Sequence, residues 1–363
     1  MPVAAIELPD GRTVNSSPKF DVGRNFCNKL WNASRFAMMN LEGTDPAAFD
    51  VSKMDTTDKW ILSRLAKTIA AATKDLEQFK YKEPLDEIYR FFWNDFCDWY
   101  LEWTKPRMQE GGTAFQAVIA DADNERGGHR VSAHGQDTRA TAQNVLAFVL
   151  DQVLRLLHPF VPFITEGIFQ DLNAIAPKRG LSGIAELSTA DSIMVAPWPE
   201  AIDGCIDEQT EQQIETVQSV IRSIRDIRSQ YTIPPSKPLV CSAAAPEAVC
   251  AMLNANAALI QKQAFVESLT VEAGLEKPKD AAVIIIDEIK LFVHDAVDKD
   301  AERLRLQKQK EFVEKGIKPL AGKLSNENFT SRAKPEVVEQ SRQKLKELQD
   351  QLAAIEKLLV ELG

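Results

Sequence analysis

Apolar residues recur at helical spacing from Asp21 onward. Phe26, Leu30, Ala33, Ala37 and Leu41 lie three or four apart, and Gly43 follows as a stop. The residues before them lack that period. Asp10-Gly11 marks a turn, and Asn15-Ser-Ser-Pro18 disfavours a helix before Lys19, so residues 1–20 are expected to be an extended lead-in. A second helix is predicted from an N-cap at Thr56 or Thr57, through Trp60, Ile61, Leu65 and Ile69, to about Phe79. A third begins after Pro84, which suits a first turn, and carries Leu85, Ile88, Phe91, Phe92, Phe96 and Tyr100 to about Trp103, where Pro106 ends it. Residues 109–136 break the rhythm: five of the chain's 16 glycines fall there among Asp, Asn and His, which predicts an exposed insertion. The helical period returns over Thr138–Leu157 and, past Pro159 and Pro162, over Phe163–Ala174. Five such helices predict one all-α bundle.

The pattern then changes. Asp207–Gln230 is amphipathic, with Ile214, Val217, Ile221, Ile224 and Ile227 on one face, and the run from Tyr231 to Pro238 ends it. Pro238–Ala243, Val266–Val271 and Ala282–Phe292 read as strands, with Pro246–Gln263 as a helix between the first two, giving a small α+β unit. In the tail, Leu345, Leu348, Leu352, Ile355, Leu359 and Leu362 step by three and four in alternation, a heptad seam. Leu306, Val313, Ile317, Leu320 and Leu324 form a poorer seam upstream, interrupted by Arg303 and Lys310. With a turn between Ser325 and Pro335, the two seams predict an antiparallel helical hairpin. Pro319 should kink or fray its first arm near Gly316. The expected fold class is mainly α, divided at 1–20, 21–200, 201–294 and 295–363.

Composition narrows the function classes. The chain has 43 Lys+Arg against 53 Asp+Glu, so it is not basic overall. The charge is segregated, however. From Arg303 to Lys346 twelve Lys and Arg stand against five Asp and Glu, whereas residues 1–295 carry 29 against 41. A basic arm on an acidic body suits RNA, although heptad flanks are also commonly charged for solubility. Five cysteines without a C-x-x-C pair do not form a disulfide framework and fit a reduced, cytoplasmic compartment. The N-terminus does not read as a signal peptide, and no apolar run is long enough to span a bilayer.

No catalytic constellation is present. G-x-G-x-x-G, the phosphate-cradling P-loop, H-E-x-x-H and the nucleophile elbow are all missing. His129 and His134 lie in the glycine-rich stretch and read as solvated loop residues, and His158 precedes Pro159 at a helix end. Asp95, Asp98 and Glu102 share one helix face at α spacing and read as a solvated stripe. The dense aromatics of 89–103 read as bundle core, with one or two rings available for stacking.

Several motifs stand out from about residue 20 to the end: G-R-N-F-C-N-K-L-W-N-A-S-R-F (23–36), D-K-W-I-L-S-R-L (58–65), W-N-D-F-C-D-W-Y-L-E (93–102), L-L-H-P-F-V-P-F-I-T-E (156–166), I-R-S-I-R-D-I-R (221–228) with P-P-S-K-P (234–238), and K-L-S-N-E-N-F (323–329). In order and spacing they resemble those of bacterial-type valyl-tRNA synthetases. The resemblance implies a helical-bundle anticodon-binding domain over 21–200, a small connector over 201–294, and a coiled-coil arm over 295–363 that lies against the outer corner of a tRNA. It also implies that the first helix approaches the anticodon with Lys29 and Phe36, beside Arg24 and Arg35. Two turns apart, the ammonium and the ring share a face and could bind phosphate or base acceptors and stack on an unpaired base; apart from the family, Phe36 reads equally as core and Lys29 as a solvated cation. The arm would meet tRNA through Arg303, Arg305, Lys308, Lys310, Lys315, Lys318, Lys323, Arg332 and Lys334.

The family's H-I-G-H-like and K-M-S-K-S-like motifs do not occur, and Val51-Ser-Lys-Met-Asp55 is not their equivalent. The chain is therefore expected to be the C-terminal portion of such an enzyme. It should bind tRNA(Val) without catalysing aminoacylation by itself, and carry no cofactor or metal, the ATP and Mg of the family belonging to the catalytic body. The expected partners are tRNA(Val) and a separate catalytic chain, with no membrane and a monomeric state. Two competing readings are the active valine–tRNA ligase itself and a helical scaffold with no RNA role.

Overall fold

The computed structural model describes residues 4–7, 13–109, 133–187, 190–202, 204–276, 278, 281–294 and 299–325, with 338, 340–346, 348–349, 352–353 and 356 beyond them. The expected turn at Asp10-Gly11, the stretch 110–132 with His129, and the hairpin turn at 326–337 lie outside the described residues, as do Ile355, Leu359 and Leu362 of the last seam. The chain is mostly helical with small sheets. It divides into two compact units, residues 1–216 and 217–363.

The first unit opens differently from expectation. Residues 1–20 are not simply extended: β1 (Ala4–Glu7) and β2 (Thr13–Ser16) pair antiparallel, Ala4 opposite Ser16. Helix α1 (Pro18–Met38) then starts three residues early, with Pro18 in the first turn, where its missing N–H costs nothing. The predicted seam is its buried face: Leu30 and Ala37 are fully inaccessible, and Phe26 and Ala33 nearly so. Helix α2 (Thr56–Glu77) is capped one residue earlier than predicted. Asp55 accepts from the Asp58 amide and the Asp58 carboxylate accepts from the Asp55 amide, a reciprocal capping box.

The third predicted helix is three segments in one rod: α3 (Lys82–Arg90), a π-helix (Phe91–Tyr100) and α4 (Leu101–Gln109). Pro106 does not end it. Trp103 and Met108 are buried on either side of the proline, and their burial outweighs the roughly 3 kcal/mol that an interior proline costs. Helix α5 (Ala133–Leu157) is buried along its second half, every residue from Thr141 to Leu157. It is therefore the central element on which α1, α2, α4 and α6 (Pro162–Ile175) pack. A short hairpin missed by sequence reading follows, β3 (Gly180–Leu181) with β4 (Ala185–Glu186). It needs its glycine: Gly180 has φ +145°, and a Cβ there would stand 3.2 Å from the Leu187 nitrogen.

Arg107 on α4 reaches back to the start of α2. Its Nη2 donates to Asp58 Oδ2 at 2.7 Å and its Nη1 to Asp55 Oδ2 at 2.8 Å, while the Tyr100 hydroxyl donates to Asp58 Oδ1 at 3.0 Å. Asp58 is fully buried. Burial, reinforced by the neighbouring Asp55 charge, outweighs Arg107 and pushes its carboxyl up to about 6 from 3.8. A carboxyl raised on folding stabilises fully below its unfolded pKa and loses that contribution as pH rises through the folded value. Relative to Asp58→Asn, which cannot ionise, the wild type should thus lose up to roughly 3 kcal/mol between about pH 4 and pH 6.5. Urea melts of both proteins across that window measure it; a wild type that gains on the variant as pH rises would contradict the assignment.

In the second unit, α7 (Glu208–Gln230), which falls across the division, buries the five predicted residues Ile214, Val217, Ile221, Ile224 and Ile227. A four-stranded sheet places Val266–Glu272, Leu239–Ala244, Ile289–Val293 and Ala282–Ile286 side by side in that order. β5 (Leu239–Ala244) and β6 (Val266–Glu272) are parallel, joined by a crossover that breaks at Asn256 into α8 (Glu247–Ala255) and α9 (Ala257–Ala264), where a single helix was expected. The expected strand Ala282–Phe292 is a hairpin, β7 (Ala282–Ile286) with β8 (Ile289–Val293), turning at Asp287, φ +48°. Aspartate tolerates the left-handed region, so no glycine announces the turn. Helix α10 (Lys299–Leu324) runs through Pro319 without interruption, against expectation. Pro319 is exposed, so the carbonyl it orphans can be served by water. Val313 is buried among Ile317, Leu348 and Leu352, and Lys310 donates to Glu356 at 2.7 Å.

Candidate nucleic-acid interface

α1 and the π-helix lie side by side, in the same chain direction. Phe26 of α1 stacks on Tyr89 with ring centroids 5.1 Å apart, and Tyr89 stacks on Trp93 at 5.4 Å. One turn on from Phe26, the Lys29 ammonium sits 5.1 Å from the centre of the Trp93 ring and donates to Asp98 Oδ1 at 3.0 Å. Two turns beyond Lys29, the ring of Phe36 lies 5.2 Å beneath the ammonium of Lys105, which also bonds Glu102 at 2.6 Å. Lys29 and Phe36 do share a face, and both are half-buried rather than core or fully solvated.

The other two predicted residues of α1 are more exposed and do not join this cluster. Arg24 pairs with Asp21 at 2.9 Å one turn back. Arg35 lines an open groove of about 380 Å³ with Met38, Met39, Asp171, Ala174 and Ile175.

Asp95, Asp98 and Glu102 are not a solvated stripe. Asp95 is bound by Arg64 of α2 at 2.9 Å, Asp98 by Lys29 of α1 and Glu102 by Lys105. Asp95 and Asp98 therefore face different helices. In an α-helix, Trp93 and Asp98, five residues apart, would sit roughly 140° from each other around the axis. In a π-helix five residues make about one turn. The π segment is what brings the indole and the carboxylate together against Lys29, and α-periodicity could not have revealed it.

On the arm, Lys308, Lys315, Lys318 and Lys323 are exposed. At about 100° per residue they fall within an arc of roughly 140° on the side of α10 away from Val313 and Ile317. Glu311 shares that arc, as does Phe312, 78% exposed, which sequence reading overlooked because it falls outside the seam. Lys310 is different, being neutralised by Glu356 and by Glu314 at 4.0 Å. Arg303 and Arg305 belong to α10, while Arg332 and Lys334 lie outside the described residues.

No group of three or more His, Cys, Asp and Glu could hold a metal among the described residues. Burial pushes the thiols of Cys97 and Cys241 up to about 12, which leaves them unreactive. His158 Nδ1 is 2.8 Å from the Thr165 hydroxyl, a helix-end contact. Among the described residues no helix is long and apolar enough to cross a membrane.

Residues 58–244 match the family of the anticodon-binding domain of tRNA ligase, and residues 298–363 match that of the valyl tRNA synthetase tRNA binding arm. Valine–tRNA ligase from Rhodopirellula baltica is 34% identical over 363 residues, covering 98% of this chain and 32% of that protein. The same enzyme from Thermosynechococcus vestitus is 35% identical over 365 residues, 99% of the chain and 36% of its own length; that from Enterococcus faecalis is 34% identical over 351 residues, 96% and 36%. The chain spans about a third of the length of the curated relatives it matches. With more than half of its residues inside the first match and the second occupying its tail, the chain belongs to the anticodon-binding family of tRNA ligases and matches the C-terminal part of the valine–tRNA ligases.

Proposed function

We propose that the chain captures tRNA(Val) at two places and so supports valyl-tRNA formation by a ligase body that it does not itself contain. Residues 21–200 take the anticodon loop on the α1 face with Lys29, Phe36, Arg24 and Arg35. Residues 201–294 connect, and 295–363 form an antiparallel coiled-coil hairpin against the outer corner of the tRNA. The observation that carries this reading is the placement of four exposed lysines and Phe312 on the side of α10 that faces away from its apolar seam. Packing does not call for them there, whereas a phosphate backbone does. The hairpin is supported by its contacts: Gly316 approaches Leu348, and Lys310 meets Glu356, so the partner's number rises as the helix is followed backward. ATP, Mg and valine are assigned to the ligase body, and the chain acts as a monomer in the cytoplasm.

Binding of tRNA(Val) measured at two salt concentrations tests the reading, and a chain with no affinity at low salt would sink it. Within it, Phe36→Ala should weaken binding by roughly 1–3 kcal/mol through loss of a stacked base. If that variant unfolds the bundle while its residual affinity is unchanged, Phe36 is only packing.

A further inference from the structure

The geometry points to Asp98 as a base-reading residue: we propose that Lys29 and Asp98 act as one donor–acceptor pair on the Watson–Crick edge of an unpaired base. This rests on the anticodon-loop reading above and deepens it. The pair presents an ammonium donor and a carboxylate acceptor 3.0 Å apart, with no net charge. A base edge offers neighbouring donors and acceptors and can satisfy both. A phosphate offers acceptors only, and Asp98 would repel it. Were Lys29 a backbone contact, a carboxylate in hydrogen-bond contact would be a liability.

The surroundings show how the pair is held. Side-chain exposure is 33% for Lys29 and 47% for Asp98, so both remain accessible while paired. The Trp93 ring, fixed by its stack on Tyr89 and through it on Phe26, holds the ammonium from one side. Trp93 is a positioning residue. The π-helix, ten residues of a rare geometry, is the device that puts both residues opposite Lys29.

The test uses the full chain and synthetic anticodon stem-loops of tRNA(Val), each with one loop base replaced. Asp98→Ala should lower affinity for the cognate loop roughly 5- to 150-fold and erase the preference at one loop position while leaving the others. Asp98→Glu, which keeps the acceptor, should retain part of that preference. The double variant Lys29→Ala/Asp98→Ala, whose net charge is that of the wild type, should lose the same preference with an unaltered salt slope. An exposed pair of this kind adds little to folding, so the variants should melt with the wild type. Asp98 variants that bind every loop more tightly would show that the carboxylate merely competes for Lys29, and an equal loss on every loop would make it structural; either result overturns the proposal. A wild type that binds no stem-loop fails the anticodon reading itself, whereas one that binds and discriminates without Asp98 fails this inference alone.

Discussion

Replacing Lys308, Lys315, Lys318 and Lys323 together by glutamine should lower affinity for tRNA by roughly two to three orders of magnitude at physiological salt. Each cation on a phosphate releases condensed counterions and contributes about 0.7–0.9 to the slope of log affinity against log salt, so four contacts remove about three units of slope. The loss should be the same for cognate and anticodon-swapped tRNA, because phosphate contacts fix register and carry no base information. Lys310→Gln is the internal control. Its ammonium is already taken by Glu356 at 2.7 Å, a hydrogen bond that also raises its pKa, so the salt slope should barely move. The four substituted lysines are exposed and the control Lys310 is half-buried, so folding should be little disturbed. A quadruple variant that keeps its affinity but loses anticodon discrimination would mean that the two ends of the chain have been given each other's tasks.

The difference between Lys310 and its neighbours shows where sequence reading stops. Periodicity is a one-dimensional signal, and where burial alone decides a residue's place it is sufficient. The seam of α1, the five inward residues of α7 and the apolar contact of Val313 and Ile317 with Leu348 and Leu352 were all legible because each follows from spacing. The same seam says nothing about which lysine finds a carboxylate on another segment. The π-helix was illegible for a related reason. Its residues carry a plausible α pattern, and only the i to i+5 ladder reveals that Asp95 turns toward Arg64 while Asp98 turns toward Lys29. Prolines misled in the other direction. Pro106 and Pro319 are breakers by propensity, yet flanking burial in one case and an exposed position in the other let the helix continue. At Asp287 the turn uses an aspartate in the left-handed region within a run of isoleucines, so composition points to a single strand.

Asp151 is the clearest residue that no motif announced, and Asp151→Ala should cost roughly 3–5 kcal/mol of stability. It lies on α5, fully buried, between two arginines that are themselves 5% and 6% exposed. Arg155 Nε donates to Oδ2 at 2.7 Å, and Arg179 donates to Oδ1 through Nε at 3.0 Å and Nη2 at 2.8 Å. Both guanidiniums also face the ring of Phe169 on α6, at 5.8 and 5.1 Å. Arg179 further bonds Asn173 and the Ala176 carbonyl, and Arg155 the Pro197 carbonyl. One carboxylate thereby ties α5 to α6 and to the two segments that follow. Removing it leaves two desolvated cations with carbonyls and a ring but no counter-charge, which is costlier than the loss of one partner from a simple pair. Asp151→Asn keeps the volume and should still lose most of the stability, since charge rather than packing is what the arginines require. The exposed Lys29–Asp98 pair sets the contrast: water solvates either partner left behind, so breaking it should cost under about 1 kcal/mol. Urea denaturation of Asp151→Ala, Asp151→Asn and Asp98→Ala beside the wild type measures the ordering. A loss below about 1 kcal/mol in Asp151→Ala would mean that water reaches the two arginines once the carboxylate is gone. The consequence reaches the proposed anticodon face, because α6 packs on α1 and supplies Asp171, Ala174 and Ile175 to the groove that Arg35 lines. A destabilised Asp151 variant should therefore bind tRNA more weakly in proportion to its unfolded fraction, with its preference among anticodons intact.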